Sequence, residues 1–170
     1  MKANEWLGEG VNRRMDKISI IVPCYNEEAA LPYFFSEIRK VADRMSATKN
    51  LCFELLFIND GSRDRTQELL REFTAEDDRV HYISFSRNFG KEAAMYAGFR
   101  HATGDFAVLM DADLQHPPTM LEEMYLAIKE EGYDIAAARR ISRKGEPPIR
   151  SFFAQCFYWL INKISKAEFV

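Results

Sequence analysis

Asp111-Ala112-Asp113 is the constellation in this sequence best equipped for chemistry. Two carboxylates one residue apart, following a short apolar run, can hold a hard divalent cation, with diphosphate oxygens completing its shell. Such a cation neutralises charge on a departing nucleoside diphosphate. The pair equally suits a solvated acidic turn that caps the next helix. The apolar run before it and Gln115-His116-Pro117-Pro118 after it favour the ligand-holding reading.

Three other clusters share that setting, each with a plainer alternative. Asp60 could accept hydrogen bonds from a base or a ribose, and Gly61 would permit close backbone approach; the two also make an ordinary strand-to-helix turn. Pro23-Cys24-Tyr25-Asn26-Glu27-Glu28 offers the flat face of Tyr25 and the acceptor Glu27; Asn26 could instead cap a helix. Arg87, Asn88 and Lys91 surround Gly90 at a cationic helix start suited to phosphate, or form a charged surface loop. His81, His101 and His116 have no metal-type spacing; His116 beside Asp113 could only support the site from outside. GxSxG, GxxxxGKS and GxGxxG are absent, so neither a serine-hydrolase elbow nor a P-loop or dinucleotide site is supported.

These clusters need elements to position them. Apolar, β-branched or aromatic runs at 18–22, 53–58, 80–85, 106–110 and 134–138 predict five buried strands. Leu31, Phe34, Phe35, Ile38, Val41 and Met45 recur at helical spacing, predicting a helix over 29–45. Asp64 with Gln67 resembles a capping box opening a second helix through Leu69, Leu70 and Phe73. A third helix is predicted over 91–102. Pro117 and Pro118 suit the first turn of a fourth, carrying Leu121, Met124, Tyr125 and Ile128. Strands alternating with helices give an α/β fold: a mostly parallel sheet with helices on both faces. Every candidate cluster follows a strand, and ligands of such sheets bind beyond the strands' carboxyl ends.

The chain of 170 residues suits one domain with a real core. A formal net charge of −3 argues against bulk electrostatic binding of nucleic acid. Cys24, Cys52 and Cys156 are far apart and read as reduced thiols of a cytosolic protein. No apolar run reaches the length of a transmembrane helix. Residues 1–16 read as a polar N-terminal arm, 17–148 as a nucleotide-binding domain, and 149–170 as the start of a further part. In that last segment Phe152, Phe153, Cys156, Phe157, Leu160, Ile161 and Ile164 make an apolar stripe over a helix of 149–165, flanked by Arg150, Lys163 and Lys166. The stripe suits a membrane interface as well as it suits packing on the domain.

ISIIVPCYNEE, FINDGSRDRT, SFSRNFGKEAAMYAGF and VLMDADLQHPP, in this order, resemble family-2 glycosyltransferases of the GT-A fold. The longer strings resemble the polyprenyl-phosphate glycosyltransferase branch, which includes dolichol-phosphate mannose synthases. The resemblance implies a Rossmann-like sheet, a nucleotide-sugar donor of UDP-glucose or GDP-mannose type, Mg²⁺ or Mn²⁺, and a polyprenyl phosphate acceptor. It implies that Pro23, Tyr25 and Glu27 line the base and ribose pocket, that Asp60 contacts the nucleoside, and that Lys91 and Ala112 complete the donor contacts. Asp111 would hold the sugar-nucleotide side, and Asp113 would ligate the metal, with Gln115 as a further ligand. Arg139 and Arg150 would bind the acceptor phosphate, as guanidinium forks do, with Asp111, Asp113 and Arg139 at the reaction centre. Inverting transfer on the cytoplasmic side of a membrane follows. Family members continue further, so the chain is expected to be C-terminally truncated. A family-2 enzyme acting on a saccharide, or a donor-binding fragment without turnover, are the alternatives; RNFGK and the arginines after residue 138 argue against the saccharide.

Overall fold

The structure, a computed structural model, describes residues 14–138. Four strands, β1 (Asp16–Cys24), β2 (Leu51–Asn59), β3 (Val80–Ser84) and β4 (Phe106–Leu109), alternate with four helices, α1 (Leu31–Lys49), α2 (Thr66–Glu76), α3 (Lys91–His101) and α4 (Met120–Glu131). The sheet order is β3-β2-β1-β4 and every pair is parallel. Ile20 lies opposite Leu55 on one side and Val108 on the other.

Alternation along the strands divides the core into two layers. Ile18, Ile20 and Val22 of β1, with Phe53, Leu55 and Phe57 of β2, pack under Phe34, Ile38 and Met45 of α1. Leu70 and Phe73 of α2 and Leu121 and Tyr125 of α4 join that layer. On the opposite face Ile21, Leu56 and Ile58 pack against Ala94 of α3. That second layer is thin because α3 comes very close: a Cβ on Gly98 would stand 2.2 Å from Ile21 Cγ2.

A buried polar knot sits on the α3 face near the start of the strands. Glu54, 5% exposed, accepts hydrogen bonds from Ser19 Oγ (2.5 Å), Thr103 N (3.0 Å) and Thr103 Oγ1 (2.8 Å), with Lys17 Nζ at 3.4 Å. Ser19 Oγ also accepts the Gly104 N–H at 2.8 Å. A carboxylate this deep is tolerable only when so many donors replace water. The knot ties the loop between α3 and β4 to the middle of the sheet.

Several local expectations are revised. Residues 134–138 form no strand: none pairs with them among the described residues, and Ile135 is 82% exposed. An apolar run becomes a strand only when a neighbouring ladder takes its backbone groups. The expected capping box does not close. Asp64 instead accepts from Thr66 N at 3.0 Å and, across the loop, from Glu28 N at 3.0 Å. Asn26 takes a left-handed conformation (φ 56°) rather than capping α1, which starts at Leu31. Pro117 and Pro118 precede α4 in a turn, their carbonyls accepting from Met120 and Leu121. Asp16 belongs to β1, and its carboxylate takes the Tyr125 hydroxyl (2.8 Å) and Lys129 Nζ (2.7 Å) of α4.

The described residues up to Ala136 belong to one compact unit. Arg139, Arg150 and the 149–165 helix lie outside the described residues. Among the described residues, no helix is long and apolar enough to cross a membrane.

Candidate functional site

At the carboxyl ends of β1, β2 and β4 the chain encloses a cleft of about 210 Å³. β1 and its following turn contribute Pro23, Tyr25 and Glu27; β2 contributes Asp60; the first turn of α3 contributes Lys91; the segment after β4 contributes Asp111, Ala112 and Asp113. All eight donor residues expected from the sequence therefore line one cavity. The sequence reading did not single out Cys24 and Ala94, which form its floor; both are buried under it. Their only sequence signal is position, next to residues that were chosen.

The cleft is rich in negative charge. Burial raises the Glu27 carboxyl above its ordinary range, and the charges of Asp113, Asp111 and Asp64 push it further the same way, with Lys91 opposing. Burial, then Glu27, Asp111 and Asp64, drives the Cys24 thiol far above its usual range, so it stays protonated. The ammonium of Lys91 meets Asp111 Oδ1 at 2.6 Å, a partly exposed pair. Asp113 is exposed, and its Oδ1 accepts the Gln115 N–H at 2.9 Å, which tightens the turn around the two aspartates. Leu114, between them and Gln115, adopts a left-handed φ of 56° while its side chain packs on the core. For a non-glycine residue this is a costly conformation, held here by packing next to the carboxylates.

Two loops that frame the cleft are stitched together. Asn26 N donates to Ser62 Oγ (3.0 Å), Glu27 N to Thr66 Oγ1 (2.8 Å) and Glu28 N to Asp64 Oδ2 (3.0 Å). In return, Arg63 N donates to Asn26 Oδ1 (2.8 Å) and Arg65 N to Glu28 Oε2 (2.9 Å). Glu27 is thereby held from two sides: its N–H by Thr66 at the start of α2, and its carbonyl by the N–H groups of Ala30 and Leu31 at the start of α1. Ser62, Asp64 and Thr66 were not chosen from the sequence as site residues. The signal was a density of short polar side chains in both loops, which favours bonding to backbone N–H groups.

Asp60 is 3% exposed, and it turns its carboxylate onto the loop after β3. Oδ1 accepts the Phe89 N–H at 2.7 Å and Oδ2 the Gly90 N–H at 2.9 Å. Gly61 presses on the same loop with φ 67°, where a Cβ would lie 2.3 Å from the Arg87 carbonyl carbon. The pair thus folds the segment that leads into Lys91. Arg87 stacks over the Phe89 ring at 4.2 Å. His81, His101 and His116 are exposed.

Whether a divalent cation fits is answered by the donor set. Among the described residues no group of three or more His, Cys, Asp or Glu side chains could enclose a metal by itself. Asp111 and Asp113 supply hard oxygen donors of the kind Mg²⁺ and Mn²⁺ prefer, and a shell they leave incomplete suits phosphate oxygens as the remaining ligands. Burial and then the charges of Asp113, Asp111 and Asp64 raise Glu27, and positive charge at this place would relieve the second of these. The residues fit such an ion.

A parallel α/β sheet with carboxylates gathered beyond its strand ends places the chain among the α/β folds that bind ligands at that edge. Comparison with known proteins narrows this. The description "Glycosyl transferase family 2" matches residues 19–163, and the chain belongs to that family. It is 44% identical over 150 residues to the uncharacterized glycosyltransferase YkcC of Bacillus subtilis (strain 168), covering 88% of this chain and 45% of that protein. It is 39% identical over 153 residues to a bactoprenol glucosyl transferase of Shigella phage SfX, covering 88% of this chain and 47% of that one. The chain thus spans under half the length of these relatives. In fold it is similar to a mannosyltransferase from Pyrobaculum calidifontis solved with GDP-Man and Mn²⁺: TM-score 0.58 and 22% identity, over 69% of this chain and 34% of that structure.

Proposed function

We propose that this chain carries the donor site of an inverting hexosyltransferase that moves a sugar from a nucleotide sugar to polyprenyl phosphate at a membrane surface. The observation that carries the reading is the convergence of Glu27, Lys91, Asp111 and Asp113 in one cleft at the strand ends. The 39% identity to a bactoprenol glucosyl transferase supports the lipid acceptor and makes UDP-glucose the first donor to try, with GDP-mannose the second.

Tyr25, 43% exposed at the rim, offers an aromatic face to the base. Glu27 accepts from ribose hydroxyls, its backbone fixed by Thr66. Asp113, with Asp111 beside it and Gln115 as a further ligand, would hold Mg²⁺ or Mn²⁺. That ion, when bound, supplies positive charge to the leaving diphosphate. Arg139 and Arg150 orient the acceptor phosphate. The phosphate oxygen attacks the anomeric carbon as the bond to the diphosphate breaks on the opposite side, which inverts the configuration. A lipid phosphate is already ionised at neutral pH, so the protein needs positioning rather than a strong general base.

Thermal unfolding with Mn²⁺ and each donor, then with EDTA, tests this. A donor at about 100 times its dissociation constant stabilises the fold by roughly 2.7 kcal/mol. The expected result is a metal-dependent shift with one donor, absent in Asp113→Ala, with sugar appearing on polyprenyl phosphate and not on oligosaccharide. No shift with either donor in folded protein overturns the donor site.

A further inference from the structure

Two of the lysine–carboxylate ion pairs among the described residues lie toward opposite ends of the same sheet and differ in kind. Lys17 joins Glu54 inside the buried knot, where three other hydrogen bonds hold the carboxylate. Lys91 joins Asp111 with both side chains substantially exposed, at 54% and 40%. Exposed pairs of that sort shift an equilibrium by a factor of about five at most. The Lys91–Asp111 pair is therefore not what holds the loops; Asp60, Gly61 and the cross-loop bonds do that. It is a weak contact at the centre of the cleft, made by the one cationic side chain among the described residues that line it.

We infer that Lys91 is an exchangeable counter-ion: it neutralises Asp111 until a divalent cation arrives, and then transfers its ammonium to the diphosphate of the nucleotide. The inference rests on the donor-site reading above and adds to it an order of events. Before exchange, the ammonium on Asp111 Oδ1 competes with a metal for the same negative charge. Once a divalent ion takes over the carboxylates, repulsion drives the ammonium away. Its flexible four-carbon stem, rooted at the first residue of α3, allows it to move to another anion within the cleft. A nucleoside diphosphate is the anion of suitable charge. Lysine thus weakens binding of metal alone and strengthens binding of nucleotide once metal is present, so that metal and nucleotide enter as a pair. Such coupling is reciprocal between the two ligands.

The test uses the intact chain and binding readouts alone. Free Mn²⁺ is followed by electron paramagnetic resonance in wild type, Lys91→Gln and Lys91→Arg; UDP and GDP are then titrated calorimetrically at saturating Mn²⁺. Removing the charge in Lys91→Gln is expected to tighten Mn²⁺ binding without nucleotide by about fivefold, the upper end of what an exposed ion pair contributes. The same variant is expected to bind the preferred nucleotide about tenfold more weakly in the presence of Mn²⁺. Lys91→Arg keeps the charge and should stay within about threefold of wild type in both measurements. Thermal unfolding of each variant checks that the fold is intact. If wild type binds Mn²⁺ and a nucleotide but Lys91→Gln binds Mn²⁺ no tighter, or the nucleotide no more weakly, the exchange is wrong and the donor site stands. If folded wild type binds neither UDP nor GDP with Mn²⁺, the donor-site reading fails and takes this inference with it.

Discussion

Glu54 and Asp111 are both acidic residues on or just beyond the sheet, and their surroundings give them opposite uses. Glu54 is enclosed by donors, chiefly the Ser19 hydroxyl and the Thr103 N–H and hydroxyl, which outweigh the opposing effect of burial and bring its carboxyl from 4.5 to about 2. Because the folded value lies below the ordinary one, the stabilisation is complete above pH 4.5 and is lost as pH falls toward 2. A shift of this size corresponds to about 3 kcal/mol at neutral pH. Glu54→Gln is expected to lower the urea-unfolding free energy by that order at pH 7, with the gap to wild type closing between pH 4.5 and 2. A gap unchanged over that range would mean the knot acts through shape rather than charge. Glu54 was invisible in the sequence because a lone acid inside an apolar run carries no pattern. Asp111 and Asp113 were legible because their spacing is itself chemistry. Asp60 was legible as a site residue, but its attachment to Phe89 and Gly90 was not, since the two segments are thirty residues apart and meet only through the β2–β3 pairing.

Elements were legible where burial and periodicity agreed. β1 and β2 are mostly apolar runs buried on both faces, and α1 carries seven buried residues at helical spacing. Residues 134–138 carry one β-branched residue, Ile135, among an aspartate and three alanines, and pairing is in any case a tertiary fact that no local run contains. The alanine-rich α3 was also legible as a helix, but the reason for its small residues was not. Gly98 lets the helix lie directly on Ile21, which brings Lys91 at its first turn over the strand ends. Gly98→Ala would gain helix propensity yet drive a methyl into Ile21 Cγ2, and Ile21 is fully buried with no room to move. Overpacking of this kind costs about 1–3 kcal/mol. The expected result is a net loss of stability by chemical denaturation, together with weaker nucleotide binding because α3 is lifted. In an Ile21→Ala background the same substitution should cost less than half as much. Equal cost in both backgrounds would show that the glycine serves something other than close approach.

At the scale of the whole molecule, the proposed donor and acceptor contacts fall on different parts of the sequence. The residues of the donor cleft run from Pro23 to Asp113, within the compact unit that ends at Ala136. Arg139 and Arg150, assigned here to the acceptor phosphate, follow that unit in sequence. The two ligands should therefore be separable by mutation. If Arg150 holds the acceptor phosphate as proposed, Arg150→Ala removes a guanidinium–phosphate contact whose loss typically costs about 1.5–3 kcal/mol, or at least about tenfold in affinity. Binding of a short-chain polyprenyl phosphate should weaken by that factor, while the Mn²⁺-dependent thermal shift with donor stays at its wild-type value. Asp113→Ala should show the reverse, losing the donor shift while retaining lipid phosphate binding measured without donor. Arg139, nearer the donor unit in sequence and proposed for the reaction centre, should affect acceptor binding first and donor binding little. If Arg150→Ala and Asp113→Ala each abolish both signals, the two ligands share one indivisible site and the assignment of the arginines to the acceptor fails. If Arg150→Ala changes neither, the acceptor phosphate is held elsewhere, and the resemblance that suggested these arginines does not extend to this part of the chain.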